Sequence, residues 1–154
     1  MITMTTGMDR AEIEDALMDA KLNNPTAIVE EWQRAISSKG IPENYRAMTP
    51  QRQNLHMRLL LEETVEMFHA INSNDLENTL KEAADVLVIW SCIMLELGIG
   101  DVVMEVLRRV HDSNMSKVVN GTVVYRGDGK VLKGKSYKEP DFEDITRILR
   151  GEGA

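Results

Sequence analysis

Ten successive residues, "VLVIWSCIML" from Val86 to Leu95, carry no charge, and Glu96 ends them. The run falls short of the ~18 uninterrupted apolar residues that suggest a bilayer span, and read as a helix it is apolar on every face. Such a helix has to be covered from all sides by other elements, so the chain is constrained to an assembly of several helices. Two acids, Glu82 and Asp85, lead into the run on the stripe that Ile89 and Ile93 continue.

The punctuation around this segment is mostly helical. Helices are expected over about 9–22 and 26–38, the second stopped by "SSKGIP". Thr49 as N-cap and Pro50 as first helical residue open a third that reaches about residue 71. "NSNDLEN" is a turn in which Asn74 or Asp75 caps a fourth helix to about residue 97, where Gly98 and Gly100 end it. A fifth helix is expected from Asp101 until it fades near Lys117. Asn120-Gly121, set between β-branched residues in "VVNGTVVYR", predicts a tight β-hairpin. "GDGKVLKGKSYKEP" reads as loop, and Pro140-Asp141 starts a last helix over about 142–149.

The expected fold is all-α: an antiparallel helical bundle with a four-helix core, and a small β-hairpin and loop near the C-terminus. It is expected as a single domain over 1–154, with N-terminal helices at 1–48, catalytic helices at 49–117, and hairpin, loop and last helix at 118–154. With 154 residues and 43% hydrophobic content the chain can build one core without staples. The single cysteine, Cys92, excludes a disulfide framework and a thiolate metal site. The opening stretch "MITMTTGMDRAEIEDAL" lacks the basic start and apolar core of a secretory signal, so a cytoplasmic location without a membrane partner is expected.

A net charge of −7 speaks against a general nucleic-acid binder, which needs Lys and Arg to neutralise phosphates. The charge is unevenly spread, however. Lys117, Arg126, Lys130, Lys133, Lys135 and Lys138 face only Asp128 in that part of the chain, so an acidic body carries a basic flap. Such a pairing suits a phosphorylated small molecule held by a metal on one side and cations on the other; a solvated basic tail is the plainer alternative.

The acids themselves are grouped. In "RLLLEETVEMFHA", residues 58–70, Glu63 and Glu66 share a helix face and Glu62 reaches Glu66 along the neighbouring row, while Glu82 aligns with Asp85 in "KEAADVLVIW". An antiparallel turn between the two segments brings the four carboxylates of the two pairs face to face. Winding the third helix at 100° per residue puts Leu60, Leu61, Thr64, Val65, Met67, Phe68 and Ile71 on one side and all three glutamates on the other, which an amphipathic helix with a solvated acidic face also explains. The fourth helix favours a site, because no cation on it is placed to pair with Glu82 and Asp85, Lys81 pointing elsewhere. Clustered carboxylates repel one another unless a cation compensates, and hard oxygen donors without a Cys or His cluster select Mg²⁺, with Mn²⁺ as the alternative.

"EETVE" followed by "EAAD" resembles the ExxE and ExxD signature of the MazG-like superfamily of all-α nucleoside triphosphate pyrophosphohydrolases, which includes phosphoribosyl-ATP pyrophosphohydrolases and dimeric dUTPases. "VHDSNMSK", "RGDGKVLKG" and "YKEPD" extend the likeness to MazG-like dUTP pyrophosphatases of bacteria and phages, over about 58–145. The resemblance implies Glu63, Glu66, Glu82 and Asp85 as metal ligands, with Glu62 as the residue that orients or deprotonates the attacking water. It also implies Asn114 and Lys117 as nucleotide contacts. By charge and stacking capacity, Lys130, Lys133, Lys135, Tyr125 and Tyr137 are further candidates for the substrate, each with a plain role as a solvated lysine or loop anchor beside it.

The implied reaction converts a nucleoside triphosphate, dUTP or another non-standard nucleotide, to the monophosphate and pyrophosphate. Phosphoribosyl-ATP is the alternative substrate, less favoured because of the long N-terminal segment and hairpin tail, and a non-catalytic helical interaction module is the alternative of another class. A homodimer or homotetramer is expected, because the family's bundles complete their sites across subunits. His56, His69 and His111 lack metal-ligand spacing and are expected at the surface or core edge. Trp32 and Trp90 are expected as packing anchors, and the ten methionines as adaptable filler.

Overall fold

A computed structural model describes residues 23–152, so the helix expected over 9–22 lies outside the described residues. These residues form five α-helices and a short 3₁₀ turn, with no strand among them. They fall into two compact units that divide after Asp101.

The first unit holds α1 (Pro25–Ile36), α2 (Pro50–Asn72) and α3 (Leu76–Glu96). Each begins where a side chain can stand in for a missing helical acceptor. Asn24 accepts from the Thr26 amide at 3.1 Å, Thr49 from the Arg52 amide at 3.4 Å, and Asp75 from the Asn78 amide at 3.0 Å. Between α2 and α3 Asn74 adopts φ 53°, the left-handed conformation that Asn tolerates better than most residues, and the chain reverses within three residues. α3 packs against both α2 and α1. Val29, Cys92 and Leu95 form the buried cluster, with Ile41 and Val88 against it.

Two expectations about burial fail here. Of the run from Val86 to Leu95 only Ser91, Cys92 and Leu95 are buried, and Leu87 is 47% exposed. Among the described residues of its own unit, two helices are too few to cover α3 on every side. On α2 the inward seam runs through His56, Glu63 and Ala70, one residue in seven, while Leu61, Val65 and Phe68 face outward. An acidic position therefore lies on the contact side of the helix, and part of the apolar stripe lies open. Trp32, 56% exposed, is likewise no packing anchor.

Gly98 is fixed by its surroundings. Its φ is 71°, and a Cβ there would run into the carbonyl oxygen of Asn44. Gly98→Ala is expected to lower unfolding free energy by about 2 kcal/mol or more, measured by urea denaturation, because an L side chain meets both a disfavoured backbone and a rigid carbonyl.

The second unit contains α4 (Val103–Met115) and α5 (Glu143–Leu149). Glu105 bridges Arg108 and Arg109, each at 2.8 Å, and Arg109 reaches across to Asp144 at 2.6 Å, tying the two helices together. The Ser113 hydroxyl donates to the Lys138 carbonyl and the Ser136 hydroxyl to the Ser116 carbonyl, both at 2.7 Å, which pins the connecting loop to the end of α4. Asn120 and Gly121 form the expected turn, with φ of 49° and 74°, but only one bridge, Val119 to Thr122, flanks it. A second isolated bridge joins Tyr125 to Val131. The pairing is thus split between two turns, because Gly127 and Gly129 allow the chain to reverse again before a ladder can extend.

Candidate metal centre

Glu63 and Glu66 stand one helical turn apart on α2, and Glu82 rises from the second turn of α3 opposite them. Carboxylate oxygens of the three lie within 4.8 Å of one another. Their environments differ: Glu66 is exposed, Glu63 half-buried, and Glu82 only 4% exposed. One oxygen of Glu82 is buried without any hydrogen-bond partner. An unpaired buried carboxylate oxygen costs several kcal/mol unless a cation or donor reaches it, so the donor set fits a hard divalent ion.

The other oxygen of Glu82 accepts from the Lys81 ammonium at 2.9 Å, and Lys81 also reaches Asp85 at 3.0 Å. The expectation that Lys81 points elsewhere is corrected. Its i,i+4 spacing to Asp85 was the signal, and the ammonium supplies compensating charge to both acids. Asp85 is turned to Lys81 and stands outside the three-oxygen cluster, yet close enough for its charge to act on Glu63. Burial, then the charges of Asp85, Glu66 and Glu82, push the Glu63 carboxyl above its usual range, with Lys81 opposing. Hydrogen bonds to Glu82 and Asp85 raise Lys81 in turn. Glu62 is exposed on α2 beside the cluster and takes no part in it.

The remaining candidates belong to the second unit. The Lys117 ammonium donates to the Asn114 side-chain oxygen at 2.7 Å, at the end of α4. Lys117 and Lys133 both approach the Tyr137 ring, at 5.8 and 4.4 Å from its centre. The Ser113 hydroxyl and the Lys133 ammonium hold the Tyr137 phenol below its usual range. Lys130 is exposed in the turn after Asp128, whose side chain accepts from its amide at 3.2 Å, and Lys135 and Tyr125 are also exposed.

Sequence reasoning passed over a second polar group in the first unit. Arg52 forks onto Glu96 at 2.9 and 2.6 Å, and His56, 6% exposed, lies 2.8 Å from the same carboxylate. Arg52 pulls the Glu96 carboxyl down to about 2 against the effect of burial, and His56 assists. His56 is therefore a buried partner rather than a surface or edge residue. The signal was there: Arg52 and His56 are four apart on one face, and Glu96 is the acid that ends the apolar run of α3.

A family model for phosphoribosyl-ATP pyrophosphohydrolases matches residues 29–114, more than half the chain. The chain belongs to this family, and with it to the MazG-like superfamily of nucleotide pyrophosphohydrolases. It is accordingly an enzyme that hydrolyses phosphoanhydride bonds, which sets aside the reading as a non-catalytic interaction module. No curated protein matches it. No single helix among the described residues is long and apolar enough to cross a membrane.

Proposed function

We propose that the protein is a Mg²⁺-dependent hydrolase of a nucleoside triphosphate, dUTP or another non-standard nucleotide, releasing the monophosphate and pyrophosphate. The observation that carries this reading is the convergence of Glu63, Glu66 and Glu82, the last of which also has a buried oxygen without a partner. These three residues would hold the ion, and Asp85 joins them once Lys81 swings away, which its 62% exposed side chain leaves it free to do. An ion held by these carboxylates would supply the positive charge that offsets phosphate oxygens and makes a nearby water more acidic. Glu62, exposed and adjacent, is assigned to orient that water. Asn114, Lys117, Lys130, Lys133 and Tyr137 are assigned to the nucleotide, the lysines as mobile cations for phosphates and the tyrosine as a ring for stacking.

Phosphoribosyl-ATP stays as the second substrate reading, favoured by the family description itself. We further assign a homodimer or homotetramer. Leu61, Val65, Phe68, Leu76, Leu80 and Leu87 are all between 47% and 71% exposed on the α2–α3 hairpin, an apolar surface that a second copy would cover. Light scattering on the purified protein is expected to give a multiple of the 17.4 kDa chain mass.

The deciding experiment measures pyrophosphate release over dUTP, the four standard deoxynucleotides, the ribonucleotides and phosphoribosyl-ATP, with Mg²⁺ and with chelator. Turnover that requires the metal and favours dUTP or a modified nucleotide is expected. Turnover of phosphoribosyl-ATP alone transfers the assignment to that substrate, and metal-independent turnover overturns the ligand set.

A further inference from the structure

In the sequence "LKEAAD", residues 80–85, a lysine directly precedes the first acid of α3 and stands one helical turn before the second. Spacing alone lets Lys81 meet Asp85, whereas adjacent residues of a helix do not face each other. Lys81 nevertheless reaches both. Its ammonium lies 2.9 Å from an oxygen of Glu82 and 3.0 Å from one of Asp85, so the flexible stem folds back across the helix to place one charge between two acids. Among the described residues, Lys81 is the one cation paired with Glu63, Glu66, Glu82 or Asp85.

Asp85 shows what this arrangement does. It shares a helix face with Glu82, three residues on, yet it stands outside the cluster that Glu63, Glu66 and Glu82 form. The oxygen it could offer there is the partner of Lys81. Glu82, by contrast, belongs to the cluster and to the lysine at once. The ammonium and an ion therefore draw on the same two acids. The hold of the lysine is a weak one, because its side chain is 62% exposed and that of Asp85 39%, so water screens the pairs. A divalent ion has twice the charge of the ammonium and attracts both acids more strongly.

We propose that Lys81 is a built-in competitor of the divalent ion: it withholds Asp85 from the centre, and ion uptake is an exchange in which the ammonium leaves Glu82 and Asp85 as the ion arrives. The inference rests on the reading of these carboxylates as a metal centre. The arrangement stabilises the ion-free acids against their mutual repulsion and lowers their affinity for the ion by the same interaction. Lys81 thus sets the Mg²⁺ concentration at which the centre fills.

The test is calorimetric titration of the full chain with Mg²⁺ alone, together with thermal melting in chelator. Lys81→Gln removes the charge at an exposed position. It is expected to bind Mg²⁺ about fivefold more tightly than the wild type, as the loss of two screened ion pairs implies, and to melt at a lower temperature in chelator. In an Asp85→Asn background the same change is expected to gain only about twofold, because Asp85 is no longer there to be released. Equal or weaker Mg²⁺ binding by Lys81→Gln overturns the proposal and leaves the metal centre standing, as does a gain that Asp85→Asn fails to reduce. Binding by neither the wild type nor Lys81→Gln overturns the metal centre and the proposal together.

Discussion

Glu66→Gln is expected to cut pyrophosphate release by about 100-fold or more while leaving the apo protein as stable as the wild type or more so. The activity loss follows from removing one charged oxygen donor from a three-carboxylate set, worth about 3 kcal/mol in the transition state. The stability result follows from the same geometry with opposite sign. Glu66 is exposed, so the isosteric amide disturbs no packing, and its charge is one of those that hold the Glu63 carboxyl above its usual range. Neutralising it relieves repulsion that Lys81 only partly offsets. A melting series with and without Mg²⁺ reads both effects: the wild type gains stability with the ion by mass action, and the variant loses that gain. Glu62→Gln separates the roles, since a water-orienting residue outside the cluster lowers the rate but keeps the Mg²⁺-dependent rise. Wild-type turnover by Glu66→Gln removes that residue from the site.

Helix positions were readable in the sequence because they rest on local chemistry. Thr49, Pro50 and Asp75 mark helix starts through bonds made within one turn, and α2 and α3 begin where those residues place them. Facing was not readable in the same way. A hydrophobic stripe says which side of a helix avoids water, and by that rule alone the side of α2 richest in Leu, Val and Phe would face the core. The seam of α2 instead passes through His56, Glu63 and Ala70, because facing is set by what the partner helix offers, and α3 offers Glu82 and Glu96 there. The same local-against-tertiary split explains the acids. That Glu63, Glu66 and Glu82 converge could be argued from spacing and a short turn, whereas the hold of Lys81 on Glu82 and Asp85 at once depends on the rotamer of a long, exposed side chain. At Asn120-Gly121 the turn was readable and the ladder was not, since strand length depends on whether the flanking chain stays extended, and two more glycines close by divert it.

Glu96→Gln is expected to destabilise the fold by about 2 kcal/mol at neutral pH, between the values for a surface and a buried ion pair, because Glu96 and His56 are shielded while the Arg52 side chain is 43% exposed. The side chain of Glu96 is 14% exposed, and its two oxygens serve the Arg52 fork and the buried His56 ring nitrogen. An amide offers one acceptor and one donor, so it satisfies at most part of this and sets its own N–H against a cation. His56 has no slack to compensate, as its other ring nitrogen is already buried without a partner. The pH dependence provides the check. Arg52 draws the Glu96 carboxyl from its usual 4.5 to about 2 in the fold, so ionisation favours the native state. That contribution is complete above about 4.5 and is lost as the pH falls toward about 2. Glu105 and Asp144 of the second unit are also drawn down to about 2 by arginines, but they are exposed and their pairs are screened by salt. Urea unfolding across acid pH in about 1 M salt, where screening acts within ~3 Å, therefore isolates the shielded pair. The wild type should lose stability over that window and Glu96→Gln should be flatter across it. Equal unfolding free energies at pH 7 would mean that Arg52, His56 and Glu96 do not anchor α2 to the end of α3.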